Sequence, residues 1–235
     1  MGDTLIRPES TLADLAGHWV GASRVFQRHD LDFCCQGSRT LAEACRERRL
    51  AVDTVLAELR AEAREVQPHE EWAGRPMAQL IVHLVDHFHA SHRAELPRLL
   101  AMSEKVENVH ARHPQCPHGL AAHLRTMGED LEQHMQKEEQ VLFPLLLAGG
   151  NLGAYAPIQC LTGEHDQHAL ALAATRRATR EFTVPADACT TWRALYLGLQ
   201  EFERAVMEHV HLENHVLFPG VLRAAAAQGC DSQQH

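Results

Sequence analysis

One motif occurs twice in this chain, and it constrains the fold more than any other feature of the sequence. The pattern His-x3-Glu-x3-Leu-Phe-Pro runs from His134 to Pro144 and again from His209 to Pro219, 75 positions later. Recurrence of a long pattern at a fixed offset is a signature of duplicated structural units. The sequence therefore predicts two related halves, each built around one copy.

Each copy places a histidine and a glutamate on one face of a helix. Residues four apart in an α-helix return to nearly the same side, so His134 pairs with Glu138, and His209 pairs with Glu213. Apolar residues continue the same spacing on either side, which predicts that both pairs are buried. The two stripes contain Leu124, Met127, Leu131, Val141 and Leu145 in the first copy, and Leu199, Phe202, Val206, Val216 and Gly220 in the second.

The two buried carboxylates need a positive partner. Moving an ionised carboxylate into an apolar seam costs several kcal/mol unless its charge is compensated. Neither stripe carries a lysine or an arginine. A bound cation is the simplest compensation, so the repeated pairs are predicted to be metal ligands.

Two further histidines extend the duplication. His89 precedes His134 by 45 residues, and His165 precedes His209 by 44. Each half is thus predicted to be a helical hairpin with one histidine on its first helix and the His-x3-Glu pair on its second. The four predicted helices cover residues 77–106, 118–148, 154–182 and 187–228.

The predicted fold class is all-α. Four long helices with short connections indicate an up-down four-helix bundle over residues 76–235. Residues 1–66 form a small helical N-terminal domain in this prediction, and residues 67–75, with Pro68 and Gly74, form a linker.

The N-terminal domain has three predicted helix starts and one unusual loop. Ser10 and Asp53 are predicted N-caps, and Thr40 opens a capping box that Glu43 completes. The loop between the first two helices carries the adjacent thiols Cys34-Cys35.

Composition narrows the function classes. The chain has 235 residues with 45% hydrophobic residues, which is enough for a buried core. A net charge of -9 disfavours nucleic-acid and anionic-membrane partners, and 18 histidines favour metal binding. No apolar run approaches the roughly 20 residues that span a bilayer, and no secretory signal opens the chain. We therefore expect a cytoplasmic protein with seven reduced cysteines.

The donor set predicts two metal ions. Four imidazoles and two carboxylates are too many for one tetrahedral zinc and too rich in nitrogen for calcium or magnesium. Two ions, each with two histidines and sharing two bridging glutamates, keep room for an oxo or hydroxo bridge or a small ligand. This ligation suits iron or manganese. The candidate ligands are His89, His134, Glu138, His165, His209 and Glu213.

Other histidines are weaker candidates for metal ligands. His92 and His168 lie one turn beyond two candidate ligands and are the predicted substitutes. The four that fall off the stripes are expected to be solvated, with His87 as an outer neighbour of the site: His83, His87, His211 and His215.

With these features the sequence resembles a known family. The paired motifs resemble a hemerythrin-like domain, and Leu31-Asp-Phe-Cys-Cys35 resembles the N-terminal domain of the iron-sulfur cluster repair (RIC) di-iron proteins. The resemblance spans about Thr11 to Leu222. It implies two iron ions per chain, with manganese the lesser choice, and repair of iron-sulfur proteins damaged by nitric oxide or oxidative stress. It also implies the six ligands above, with Glu138 and Glu213 bridging, and functional thiols at Cys34 and Cys35.

One departure and several alternatives accompany this resemblance. The family loop often reads Cys-Cys-Gly-Gly, whereas Gln36 stands at the first glycine here. The same ligands would also suit a cytoplasmic nitric-oxide buffer or sensor, or a nitric oxide reductase. A structural or regulatory helical protein without stoichiometric metal is the last alternative. Nitric oxide or dioxygen is the expected small ligand, and a homodimer and catalytic turnover are left open.

Overall fold

The computed structural model describes residues 6–62, 64–65, 72 and 75–231. Within these residues the chain is helical apart from one antiparallel pair, β1 (Trp19–Val20) and β2 (Arg64–Glu65), with Trp19 opposite Glu65. The all-α prediction is confirmed. The chain divides into two compact units: unit 1 is Met1–Leu80 with Met207–Gly220, and unit 2 is Ile81–Val206 with Val221–His235.

In the described residues of the N-terminal part of unit 1, four short helices accompany the strand pair. Helix α2 packs on α4, and the rings of Phe26 and Phe33 lie 5.9 Å apart in the core. Leu15, Val25 and Leu59 are fully buried beside them. The helices are α1 (Leu12–His18), α2 (Ala22–Arg28), α3 (Leu41–Glu47) and α4 (Val52–Glu62).

The first helix is capped one residue later than predicted. Thr11, not Ser10, is the N-cap of α1, and its hydroxyl accepts a hydrogen bond from the Asp14 backbone N–H at 3.1 Å. The backbone carbonyl of Ser10 instead accepts the N–H of Leu41 at 2.9 Å. The prediction at Ser10 was wrong because long-range backbone pairing occupies that position.

The capping box of α3 is confirmed. The Thr40 hydroxyl accepts the Glu43 N–H at 3.2 Å, and the Glu43 carboxylate accepts the Thr40 N–H at 2.9 Å. Such a cap is worth about 1 kcal/mol. Asp53, in contrast, is not a cap: it lies in the first turn of α4, where a carboxylate favours the positive end of the helix dipole.

Seven further α-helices lie in the described residues from Met77 onward. Helix α7 packs against both α6 and α9 in unit 2, whereas α5, α10 and α11 contribute residues to both units. The helices are α5 (Met77–His83), α6 (Ala90–Val109), α7 (Leu120–Lys137), α8 (Phe143–Leu147), α9 (Tyr155–Ala178), α10 (Thr190–Leu212) and α11 (Phe218–Asp231).

Three π-helical turns join some of these helices end to end. They are Leu84–His89 between α5 and α6, Glu138–Leu142 between α7 and α8, and Glu213–Leu217 between α10 and α11. With them, the α-helices correspond to the four long helices that the sequence predicts. Single π turns inside α-helices are rare and frequently mark functional sites.

The π turns shift which residues are buried. A π turn inserts one residue, which rotates the following side chains by about 100° about the helix axis. After Glu138, Leu142 and Leu146 are therefore buried, together with Phe143, whereas the predicted Val141 is 55% exposed and Leu145 is half-buried. The prediction that Val141 and Leu145 are the buried residues after Glu138 was wrong.

The same correction applies at the other two π turns. Leu217 and Val221 are buried where Val216 and Gly220 were predicted. For the first long helix the sequence also predicts a buried stripe through Val82 and Val85, but Val82 is 57% exposed, and Leu84 and Phe88 are buried.

The linker and the possibility of a membrane-spanning helix are the remaining points of the fold prediction. The predicted linker over residues 67–75 lies largely outside the described residues, so its conformation stays a prediction. Among the helices that the structure describes, none combines the length and the apolar character needed to cross a bilayer.

Candidate metal centre

Four of the six predicted ligands converge inside unit 2. His89 ends one π turn, and Glu138 begins another, one turn beyond His134 on α7. His165 lies in the middle of α9. All four side chains are at most 1% exposed. The helices thus bring three imidazoles and one carboxylate into a buried cluster.

The Glu138 carboxylate lies between two imidazoles. Its Oε2 atom is 3.4 Å from Nε2 of His89, and its Oε1 atom is 3.5 Å from Nε2 of His134. Nε2 of His165 is 3.1 Å from Nε2 of His134. Atoms that bind one ion at about 2.0–2.2 Å lie roughly 3 Å apart, so these spacings fit shared ions. One oxygen of the Glu138 carboxylate thus faces each of the two imidazoles.

Two outer carboxylates orient the imidazoles. Nδ1 of His89 lies 2.7 Å from Glu139, and Nδ1 of His134 lies 2.9 Å from Glu164. A neutral imidazole that donates its Nδ1–H to a carboxylate keeps Nε2 available as a ligand atom, so these contacts suit rings that direct Nε2 into the cluster. Sequence reasoning missed Glu139 and Glu164, since each adjoins a predicted ligand in sequence and such neighbours do not share a helix face.

These outer carboxylates are held ionised by cations. Arg93 forms ion pairs with Glu139 and Glu132, and Lys137 forms an ion pair with Glu164. Burial acts to raise the pKa of Glu139, but hydrogen bonds from Arg93 and His89 lower it below its ordinary value. Burial also opposes ionisation of Glu164, but Lys137 and His134 lower its pKa in the same way.

The second copy of the motif has the same local structure within unit 1. His209 lies in the last turn of α10, and Glu213 is the first residue of a π turn. Nε2 of His209 is 3.0 Å from Oε1 of Glu213, and both side chains are fully buried. The six predicted ligands are thus all buried, four in unit 2 and two in unit 1.

The predicted substitute ligands pack around the cluster of unit 2. His92 is buried and its ring meets Phe202 edge-on at 5.4 Å. The buried His168 ring lies 4.9 Å from that of His134. The groups of converging ligand atoms found in the described part of the chain contain neither His92 nor His168.

The prediction of a solvated His211 was wrong. Its side chain is buried, with Nδ1 3.4 Å from the Phe33 carbonyl, and burial lowers its pKa to about 4. His215 is half-buried, and its Nε2 donates to the Cys34 carbonyl at 2.9 Å. The Cys-Cys loop of unit 1 covers this helix face, which no periodicity in the helix itself could reveal.

The two thiols lie side by side in that loop. The sulfur atoms of Cys34 and Cys35 are 3.6 Å apart, and Cys34 is buried whereas Cys35 is half-buried. Gln36 is exposed, and it is not among the residues with positive φ. The substitution of glutamine for glycine therefore introduces no backbone strain.

Comparisons with known proteins match both parts of the chain. Residues 80–221 match the Hemerythrin HHE cation binding domain, and residues 8–63 match a Domain of Unknown function (DUF542). The Iron-sulfur cluster repair protein YtfE of Yersinia pseudotuberculosis serotype IB (strain PB1/+) is 45% identical over 202 residues, 86% of this chain and 91% of the relative. The YtfE protein of Yersinia pestis (strain Pestoides F) has the same identity and coverage.

This chain belongs to the iron-sulfur cluster repair family. The predicted resemblance is therefore confirmed. In this family member, the hemerythrin HHE segment contains all six predicted ligands, and the DUF542 segment contains Cys34 and Cys35.

Proposed function

We propose that this chain is a non-haem di-iron protein that repairs iron-sulfur clusters damaged by nitric oxide or oxidative stress, by supplying iron to them. The observation that carries the proposal is the 45% identity, over 86% of the chain, to relatives named for iron-sulfur cluster repair. The comparisons favour repair over the nitric-oxide buffer, sensor or reductase that the ligands alone would also allow.

In the proposed centre, two histidines would hold each of two iron ions, and the two glutamates would be shared between them. The orientation of Glu138 supports this arrangement, because its two oxygens face His89 and His134 separately. Bridging by Glu213 follows from the repeated motif. The proposed ligands are His89, His134, Glu138, His165, His209 and Glu213.

The protein's own residues prepare this centre. Burial excludes water from the imidazoles and carboxylates, and Glu139 and Glu164 fix the rings that bind. Iron held by these ligands supplies an exchangeable ferrous ion. From the reduced centre, ferrous iron could pass to a damaged cluster, whose sulfide and thiolate donors are ligands suited to iron.

The setting of this activity is also part of the proposal. We place the protein in the cytoplasm of cells under nitrosative or oxidative stress, with damaged iron-sulfur proteins as its partners. Cys34 and Cys35 would assist delivery of iron, because thiols are the ligands that clusters use. In this proposal, ferrous iron in the centre would also bind nitric oxide or dioxygen, but this binding is not the main function.

Metal analysis combined with a repair assay tests the proposal. The iron-loaded chain should contain two irons and should reactivate a nitric-oxide-damaged aconitase while losing iron in proportion. Glu138→Gln should lose both properties, whereas Glu129→Gln, at an exposed position of the same helix, should keep both. One zinc per chain, or reactivation that does not need the iron, would refute it. Stoichiometric nitrosyl formation without repair would support the buffer instead, and conversion of nitric oxide to nitrous oxide would support the reductase.

A further inference from the structure

Unit 1 contains a second group of converging ligand atoms. Asp32, Cys34 and Cys35 each offer one atom, and the three atoms lie within 4.8 Å of one another. Oδ1 of Asp32 is 3.1 Å from the Cys34 sulfur and accepts the Cys35 backbone N–H at 2.9 Å. The group thus combines two thiols and one carboxylate on four consecutive positions of the chain.

The spacing of the sulfur atoms matches that of two thiolates on one ion. With metal–sulfur bonds of about 2.3 Å and tetrahedral angles, two bound sulfurs lie roughly 3.7 Å apart. The sulfur atoms of Cys34 and Cys35 are 3.6 Å apart. An ion could therefore be bound with little movement of either side chain.

The loop is held in place by groups other than the three donors. Leu31 and Phe33 are buried on either side of Asp32. Nδ2 of Asn214 and Nε2 of His215 both donate to the Cys34 carbonyl, at 3.1 and 2.9 Å. Because these contacts fix the backbone, the donors are already positioned, which lowers the cost of binding an ion.

A tight contact at Gly37, just after the two thiols, also supports a fixed loop backbone. A Cβ atom added at Gly37 would lie 2.5 Å from the Phe33 carbonyl oxygen and 2.6 Å from Nε2 of His215. The loop therefore packs more tightly there than any other residue type would allow. Such packing fixes the backbone of the loop next to the residues that precede Gly37.

The chemistry of the three donors limits the class of metal ion that could bind. Two thiols with one carboxylate select soft to borderline divalent ions, ferrous iron and zinc among them, over calcium or magnesium. Asp32 and Cys35 are half-buried, so a fourth position stays accessible to water. The hydrogen bond with Cys35, burial and the Asp32 carboxylate all raise the pKa of the Cys34 thiol, so an ion that binds must displace its proton to solvent.

We propose that Asp32, Cys34 and Cys35 form a separate binding site for one thiophilic divalent ion, distinct from the His/Glu centre. The affinity of this site for metal does not depend on the proposed function. Its use as a holding position for ferrous iron during repair does rest on that function.

Cobalt is a suitable probe, because thiolate-to-cobalt charge transfer absorbs in the near ultraviolet and histidine or carboxylate ligands give no such band. The full-length chain, stripped of metal and kept reduced without oxygen, is titrated with Co²⁺. We expect a charge-transfer band whose intensity at saturation corresponds to one thiolate-bound cobalt per chain, in addition to the cobalt that the His/Glu centre takes up without such a band. The double variant Cys34→Ser, Cys35→Ser should lose it. Because loss of even an outer partner of a ligand weakens metal binding about 10–100-fold, Asp32→Asn should weaken binding by at least roughly tenfold.

A matched control separates this site from the other thiols. Cys116→Ser removes a half-buried cysteine elsewhere in the chain and should leave the band unchanged. Circular dichroism and iron loading of the His/Glu centre show that each variant is folded. A band that survives in the double variant, or no band at all in the folded wild type, would overturn the proposal. If the chain shows the cobalt-thiolate band but does not reactivate a damaged iron-sulfur protein, the metal site at Asp32, Cys34 and Cys35 stands and only the proposed repair function is refuted.

Discussion

Nδ1 of His134 lies 2.9 Å from a carboxylate oxygen of Glu164, and Lys137 forms an ion pair with the same carboxylate. The equivalent pair, His89 and Glu139, is 2.7 Å apart. A carboxylate behind a ligating imidazole fixes its orientation and raises its basicity. The outer carboxylates should therefore contribute measurably to metal affinity although neither is a ligand.

Replacement of these carboxylates tests their role. Glu164→Gln and Glu139→Gln should each weaken iron binding about 10–100-fold, because the neutral amide is a weaker partner for the imidazole. Competition with a chelator of known affinity measures the change. Glu95→Gln, which removes an exposed carboxylate paired with Arg98, is the control. Unchanged iron affinity in both variants would show that the two contacts are only structural.

Removal of metal should destabilise the fold. A ligand that binds only the folded state at 100 times its dissociation constant stabilises it by about 2.7 kcal/mol, so a chelator should lower the melting temperature of the wild type. Glu138→Gln removes a buried donor and should make the melting temperature insensitive to the chelator. Differential scanning calorimetry gives both values. Equal chelator responses in the wild type and the variant would count against Glu138 as a ligand.

The π turn after Glu138 makes a prediction about core packing. Leu142→Ala should cost about 2–5 kcal/mol of unfolding free energy, since this fully buried leucine leaves a cavity. Val141→Ala, at a position that is 55% exposed, should change stability by no more than about 0.5 kcal/mol. Urea denaturation of the metal-free chains measures both. The opposite ranking would mean that the helix continues with regular α geometry.

Cys189 should be a more reactive thiol than Cys116. Burial acts to raise the pKa of Cys189, but hydrogen bonds from the Trp192 backbone N–H and from His110, whose Nε2 is 3.1 Å from the sulfur, lower it below its ordinary value. Burial and Glu107 raise the pKa of Cys116. Because the thiolate is the reactive form, iodoacetamide near neutral pH should label Cys189 before Cys116.

Mass spectrometry of partly labelled protein gives the order of alkylation. His110→Phe keeps a ring against Trp192 but removes the hydrogen bond, so it should slow labelling at Cys189 alone. Faster labelling of Cys116 in the wild type would contradict the assignment.

The paired thiols should matter for repair. The variant Cys34→Ser, Cys35→Ser should retain two irons per chain, because neither residue is a proposed ligand of the di-iron centre, and should reactivate damaged aconitase more slowly. Iron content and reactivation rate are measured on the same preparation, with Cys116→Ser as the matched thiol control. An unchanged reactivation rate would remove the thiols from the repair step.

Much of the fold follows from the sequence because helix periodicity and capping are local. The four long helices, the capping box at Thr40 and Glu43, and the burial of the paired motifs are all consequences of spacing over a few residues. The repeat at His134 and His209 also carries long-range information, because duplicated segments adopt the same local structure.

The remaining features depend on tertiary structure. Nothing in a periodic pattern marks where one extra residue enters a helical turn, so the stripe beyond Glu138 was assigned to the wrong residues. Glu139 and Glu164 reach their histidines only across neighbouring segments. His211 is buried by a loop that lies about 180 residues earlier in the chain.

The π turns also restrict which insertions and deletions the chain can accept. Loss of a single residue between Glu138 and Leu142 would restore regular winding and turn every later side chain by about 100°, which would move Leu142 and Leu146 out of the core. A connection such as residues 110–119 has no comparable constraint. Relatives should therefore vary in length between helices, and the number of residues that separates each glutamate from its Leu-Phe-Pro should be invariant.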